Sequence, residues 1–315
     1  MLGRRAVGAT VSVSVFAPAR VDLSAGFPDV EPFCSAMPAQ ILNVAIHRGV
    51  SVDVSDSVSA AGGDPFAARL AAQIATRLGV PPVPVRITRE LPLGSGLGCS
   101  GAVSVAVACL IGLLAGDPLA RADIVALAVD AERASGVTGG TQDQLASVFG
   151  GTGLVERYRD VGHRSHVQAD LAALGARMTL VHAGGTRHSG SIIDAVLRDT
   201  PLDTATAIVA DMNMVGRASA NALARADWAE LAECMNASAT LLLRLHPAIV
   251  ETRVGADLRD IGARAAKPCG AGGPGAVWVA LNDPQDRAVF RTKARERGFQ
   301  LLSAQPTSSG LRYSR

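Results

Sequence analysis

The stretch Leu91–Ala102, LPLGSGLGCSGA, places glycines at 94, 96, 98 and 101 and runs directly into an apolar segment ending at Ala115. The pattern predicts a loop feeding the N-terminus of a buried helix. N–H groups there lack intrahelical partners and sit at the positive end of the helix dipole. Glycines, having no Cβ, let a ligand approach that backbone closely, and the combination suits an anionic phosphate. It is not a Walker loop, because no Lys follows the last glycine. A G-x-G-x-x-G match exists at Gly96, Gly98 and Gly101, but Pro92 stands where that fingerprint requires a strand. A second constellation is the run Glu132–Gln144, ERASGVTGGTQDQ. Glu132 falls in the last turn of one predicted helix, where a carboxylate opposes the dipole. A Mg²⁺ ion shared with phosphate oxygens would give it a reason to be there. Asp143, near the start of the next helix, could accept a proton from a substrate hydroxyl. The glycine-rich turn Lys267–Ala276 and the cluster Arg20, Asp22 and Asp29 complete the candidates. Each also has a plain structural explanation. The glycine turns could be tight packing turns or a bulge, and Glu132 could be solvated. Asp143 could simply complement a helix dipole, and Arg20 could form a surface ion pair worth under about 1 kcal/mol.

Strands are predicted at Val11–Phe16, Val50–Val54, Val83–Thr88 and Thr152–Glu156, with Ala17–Arg20 breaking the first. Helices are predicted at Asp64–Leu78, ending at a Gly79 C-cap, and at Ser100–Leu114, Asp123–Ala134 and Thr141–Val148. Residues 157 to 176 are polar and irregular, and they supply the boundary between two expected domains, 1–165 and 166–315. The second half reads as a strand at 178–182, helices near 189–199, 203–224, 227–245 and 250–263, a strand at 276–281, a helix at 284–297 and a strand at 299–303. The mixture lacks a regular βαβ repeat, which points to an α+β fold.

The 315 residues are 48% hydrophobic and carry a formal net charge of +2, enough for a core and too even for a general nucleic-acid surface. Five scattered cysteines without a C-x-x-C pair argue against a disulfide framework and a zinc site. The longest apolar run, near 102–115, is shorter than the roughly 20 residues a membrane helix needs. A cytoplasmic protein without nucleic-acid or membrane partners is expected. The oligomeric state is open, a homodimer included.

Taken together, the motifs resemble the GHMP kinase superfamily. Pro18–Leu23 (PARVDL), Pro92–Ala102 and Lys267–Gly275 resemble its three motifs, in order. The runs Asp22–Asp29, Gly139–Gln144 and Gly184–Ser189 are similar to the sugar-kinase branch of fucokinases and D-glycero-D-manno-heptose 7-phosphate kinases. The resemblance implies two domains. The N-terminal one would be like domain 2 of ribosomal protein S5 and the C-terminal one ferredoxin-like, with the site between them. It further implies ATP and Mg²⁺ as cofactors and a small-molecule acceptor, a sugar, sugar phosphate or cyclitol, phosphorylated on a hydroxyl that is anomeric or at C1. By the same resemblance Pro92, Gly94, Ser95, Gly96, Leu97, Gly98, Cys99, Ser100 and Gly101 would surround the ATP phosphates, and Ser100 and Glu132 would ligate Mg²⁺. Asp143 would be the base or orienting carboxylate. Arg20 would pair with Asp143 and add positive charge near the transferring group. Asp22, Asp29, Gly140, Arg187, Gly272 and Gly273 would serve the substrate. The chain departs from the pattern at Cys99, where Ser or Thr is usual. It departs also at Gly101, at Pro274, and at Phe27-Pro28 beside Asp29. Two rival readings are a sugar- and nucleotide-binding sensor of the same fold without turnover, and a Rossmann NAD-dependent oxidoreductase.

Overall fold

The computed structural model describes residues 13–55, 64–116, 118–185 and 189–314. In chain order the first half comprises β1 (Ser14–Asp22), α1 (Phe33–Ala36), β2 (Ala39–Val54), α2 (Pro65–Leu78), β3 (Val85–Arg89), α3 (Cys99–Leu114), α4 (Arg121–Ala134), α5 (Gln142–Phe149), β4 (Thr152–Tyr158) and β5 (Val161–His166). The second half comprises α6 (Leu171–Arg177), β6 (Met178–His182), α7 (Ser189–Asp199), α8 (Leu202–Ala224), α9 (Trp228–Leu245), α10 (Thr252–Asp260), β7 (Ala265–Pro268), β8 (Val277–Leu281), α11 (Arg287–Glu296), β9 (Gln300–Leu302) and β10 (Arg312–Ser314).

Two sheets organise these elements. The larger runs β10-β1-β2-β4-β5, with β3 also paired to β2, and the smaller runs β7-β8-β6-β9. All strand pairings among the described residues are antiparallel. The parallel sheet that a Rossmann oxidoreductase requires is therefore absent from them, and that rival reading is corrected. In the second half the succession of strand, helices, two strands, helix and strand, in this spatial order, is the ferredoxin-like arrangement. The two sheets share a core: Val21, Val44 and Ile46 of the first pack in one cluster with Leu180 and Val279 of the second.

The expected helices are present, and their local reasons are visible. Asp64 caps α2 through bonds from the Phe66 and Ala67 N–H groups, and Gly79 closes it at φ 65°. Helix α3 is buried on nearly every side, as its unbroken apolar run requires. The strands diverge more from expectation. β1 is not broken at Ala17–Arg20 but continues to Asp22, with a shift of register between Pro18 and Arg20. Such an irregularity accommodates the missing proline N–H. The partner there is Gly49, where a Cβ would lie 2.1 Å from the Ala17 carbonyl oxygen. The stretch 157–176 is not irregular either: β4 and β5 form a hairpin and α6 follows. After the second sheet the chain returns to the first, with β10 pairing along β1.

Helix α8 crosses β2 so closely that a Cβ on Gly216 would sit 2.0 Å from the Gln40 carbonyl oxygen. Helix propensity favours Ala over Gly by about 1 kcal/mol. Backbone cannot rotate aside, and overpacking of this kind costs about 1–3 kcal/mol. Gly216→Ala is expected to lower the thermal midpoint by several degrees. A midpoint equal to or above the wild type would show that the crossing is looser than described.

Candidate active site

A cleft of about 870 Å³ lies where the glycine loop, the end of α4, the start of α5 and the Gly270 turn converge. Gly94, Ser95, Gly96, Gly98, Cys99 and Ser100 line one wall, and Glu132, Gly140 and Asp143 another. The loop takes positive φ at Gly94, Gly96 and Gly98 (71°, 75° and 75°), which turns the chain into α3. Gly98 is the N-cap and no side chain caps the helix. Uncapped first-turn N–H groups of such a helix suit an anion, and Cys99 and Ser100 of this first turn line the cleft.

Asp143 is brought to this helix end by close packing. A Cβ on Gly101 would lie 2.4 Å from the Asp143 Cβ, and one on Gly98 would lie 3.1 Å from its Cγ. Gly101 is thus explained: the helix start must be bare for the carboxylate to approach. Arg20 holds that carboxylate. Its Nε donates to Asp143 Oδ1 at 2.8 Å and its second terminal nitrogen lies 2.6 Å from the same oxygen. The other terminal nitrogen donates to the Gly96 carbonyl at 2.5 Å and lies 3.4 Å from Asp22 Oδ1. Burial alone would weaken the charge on Arg20. The Asp143 and Asp22 carboxylates outweigh it, and the guanidinium holds its proton more firmly than an ordinary Arg.

Asp22 differs from the sequence expectation. It is fully buried and does not line the cleft. One oxygen accepts from the Gly270 N–H at 2.9 Å, and the other from Lys267 Nζ at 3.0 Å. It fixes the Gly270 turn and Arg20. Gly272 and Gly273 are likewise off the cleft. A Cβ on Gly272 would meet the Ile249 carbonyl oxygen at 2.2 Å, and the Gly273 N–H donates to that oxygen at 2.6 Å. The turn reaches the cleft through Gly270 and Ala271 instead. Gly270 packs against the glycine loop, since its Cβ would lie 2.7 Å from the Gly96 carbonyl oxygen. Pro92, Leu97 and Gly101 belong to the loop without lining the cleft, Leu97 being wholly in the core. Arg187 lies outside the described residues.

Asp29 lines the cleft but also has a structural task. Its Oδ2 accepts from the N–H groups of Thr141 (2.6 Å) and Gln142 (2.9 Å), so it caps α5 from a distant segment. Thr141 itself provides no side-chain cap. Gly140 is needed for this approach, because a Cβ there would fall 1.9 Å from Asp29 Oδ2. The buried Oδ1 of Asp29 has no protein partner. Burial pushes the Asp29 carboxyl up to about 6, against the pull of the two N–H groups and Arg157. Arg157, fully buried on the inward face of β4, donates to the Asp29 carbonyl and to Glu31. Arg157 belongs to no motif, but its place two residues after the inward Val155 on the same face of β4 signals a buried partner.

Glu132 is 7% exposed, with Oε2 accepting from Gln144 Nε2 at 2.7 Å and Oε1 unpartnered among the described residues. Together with the exposed Ser100 hydroxyl it offers hard oxygen donors at the cleft. That set fits Mg²⁺, which takes one or two carboxylates and completes its shell with water and phosphate oxygens. Among the described residues no group of three or more His, Cys, Asp or Glu side chains could hold a metal alone. The ion would thus rely on a bound phosphate. Burial, with the Asp143 charge adding to it, pushes the Glu132 carboxyl up to about 8.

The sign of the resulting pH effect is definite. An unfolded Glu ionises near about 4.3, whereas native Glu132 keeps its proton to about 8. Its contribution to stability is therefore complete below the unfolded value and declines as pH rises towards the native one. Glu132→Gln removes this penalty and keeps an acceptor for Gln144. In metal-free buffer the variant should melt above the wild type by a margin that widens between about pH 5 and pH 8. A constant margin would contradict the buried, proton-retaining state.

The chain is similar to known proteins in sequence and in fold. The profile of the GHMP kinases N terminal domain matches residues 65–151. The chain is 28% identical over 218 residues to mevalonate kinase of Aeropyrum pernix, covering 68% of this chain and 65% of that protein. It is 28% identical over 226 residues to D-glycero-alpha-D-manno-heptose 7-phosphate kinase of Campylobacter jejuni, covering 67% and 64%. The matches therefore span just under two thirds of those relatives. The fold superposes on a crystal structure of a D-glycero-D-manno-heptose 1-phosphate kinase from Bacteroides thetaiotaomicron with a TM-score of 0.76 at 19% identity, covering 97% of this chain and 99% of that one. No helix among the described residues is long and apolar enough to cross a membrane. Residues 65–151 thus match the GHMP kinase N-terminal domain, and the chain shares the fold of the GHMP-type sugar kinase structure.

Proposed function

We propose that the protein is an ATP-dependent phosphotransferase that moves the γ-phosphoryl group to a hydroxyl of a sugar, sugar phosphate or cyclitol. The observation that carries this reading is the meeting of Asp143, paired to Arg20, with the uncapped N-terminus of α3 at one cleft. Phosphoryl transfer asks a protein mainly for alignment and charge neutralisation. The bare amides of the loop and α3 would seat the triphosphate. Ser100 and Glu132 would hold Mg²⁺, which supplies charge neutralisation on the phosphate oxygens. Arg20 adds a fixed positive charge beside Asp143. The acceptor hydroxyl would give its proton to Asp143 as its oxygen bonds to phosphorus, and ADP would leave. Asp29, with its unpartnered Oδ1, would accept from hydroxyls of the acceptor. The named activities of the relatives, on a heptose phosphate and on mevalonate, support a small hydroxyl-bearing acceptor.

The test is mass spectrometry of products from a pooled sugar, sugar-phosphate and cyclitol library incubated with ATP and Mg²⁺. One library member should gain a phosphoryl group. Acceptors that bind and are never phosphorylated would make the protein a sensor instead. With the acceptor in hand, Asp143→Asn should lower kcat by about 10²–10⁴-fold and leave nucleotide affinity nearly unchanged. A kcat close to wild type would remove Asp143 from the reaction.

A further inference from the structure

Consecutive residues of an α-helix project about 100° apart, so Gln142 and Gln144 leave opposite sides of Asp143. Gln142 turns away from Glu132, its Nε2 donating to the Gly26 carbonyl at 2.9 Å. Gln144 turns towards α4, where its Nε2 donates to Glu132 Oε2 at 2.7 Å. Both ends of that contact are buried and both residues line the cleft. The contact occupies one oxygen of Glu132; the Ser104 hydroxyl of α3 also interacts with this carboxylate, and among the described residues Oε1 accepts no well-formed hydrogen bond. The Oε1 of Gln144 is buried and unpartnered as well. A strut serving only to join α4 to α5 would gain one hydrogen bond and leave an acceptor unsatisfied beside it, which is a poor way to add stability. An amide that orients a carboxylate for a ligand fits better. It presents two donors and one acceptor in a rigid plane, and it cannot compete as a charged ligand.

We propose that Gln144 is a positioning residue for the cation. Its amide would fix the rotamer of Glu132 so that Oε1 is presented to the metal of a bound metal–nucleotide complex. The inference rests on the reading of the cleft as a phosphotransferase site. It concerns how the chain orders its own carboxylate, independent of which acceptor is used.

The test is calorimetric binding of a non-hydrolysable ATP analogue, measured with Mn²⁺ and again with the metal removed by chelation. In the wild type the metal should tighten binding. Gln144→Met keeps length and volume but removes the donor, and partners of metal-ligating carboxylates typically contribute about 10–100-fold to metal affinity. The metal-dependent gain should therefore fall by about ten-fold or more, with metal-free nucleotide affinity and the acceptor KM unchanged. In a Glu132→Gln background the same substitution should have almost no further effect on the metal-dependent gain, because the carboxylate that Gln144 would orient towards the metal is gone. Gln144→Ala is the second variant should the thioether not be accommodated, with circular dichroism checking the fold. A metal-dependent gain within about two-fold of wild type in a folded variant would overturn the proposal, as would a full additional loss in the Glu132→Gln background. Absence of any metal effect in the wild type would instead refute the phosphotransferase reading on which it rests.

Discussion

The ion pair between the buried Arg20 and the half-buried Asp143 is the interaction on which the site depends. Arg20 is 3% exposed, so its charge cannot be left to water. Desolvation of a buried guanidinium is tolerable only when good partners meet it, and removing one partner from such a pair typically costs about 3–5 kcal/mol. That magnitude separates this pair from the exposed ion pairs of the surface, such as Arg198–Asp199. The guanidinium touches the glycine loop through Gly96, α5 through Asp143 and the end of β1 through Asp22. Asp22 passes the constraint to Lys267, whose Nζ also donates to the Asp22 and Pro268 carbonyls. Residues far apart in the chain and drawn from both sheets are thereby tied to one charge network.

The glycines have two separate physical tasks here. Gly94 and Gly96 supply left-handed backbone for the loop. Gly101 and Gly140 supply room, because the Cβ and backbone of Asp143 and the carboxylate of Asp29 pack directly against them. A site assembled this way carries destabilising features: a buried Glu132, a buried Asp29 and several polar atoms lacking partners. Buried polar groups left unpaired cost stability. Several of these atoms, on Asp29, Ser95, Glu132, Gln142 and Gln144, belong to residues that line the cleft.

Helices were legible because each carries its own signal. The 3.6-residue periodicity, the Asp64 cap and the Gly79 stop lie within a few residues of the helix they define. The strands were less so. Residues 39–49 of β2 are buried on both faces for most of their length, so they lack the alternation that marks a half-exposed strand. Pro18 suggests a break, and the continuation of β1 depends on Gly49, distant in sequence. β10 has three residues and is held by pairing to β1 rather than by any pattern of its own. In the site, the meeting of Asp143, Arg20 and the 94–101 loop followed from residue types and spacing together with the family resemblance. The division of labour among acidic residues did not. Asp22 and Asp29 look alike in sequence, and only the positions of Lys267, Gly270 and Thr141 show that one is wholly structural and the other both cap and cleft wall. Lys267 had one signal: it is one of only two lysines in the chain and stands within an apolar and glycine-rich stretch.

The most direct measurement of the central claim is a crystal structure of the full chain with Mg²⁺ and a non-hydrolysable ATP analogue. The account predicts the triphosphate on the backbone amides at the start of α3, the terminal phosphate facing Asp143, and Arg20 still paired with that carboxylate. A nucleotide bound elsewhere, or an Asp143 side chain turned away from the terminal phosphate, would contradict it.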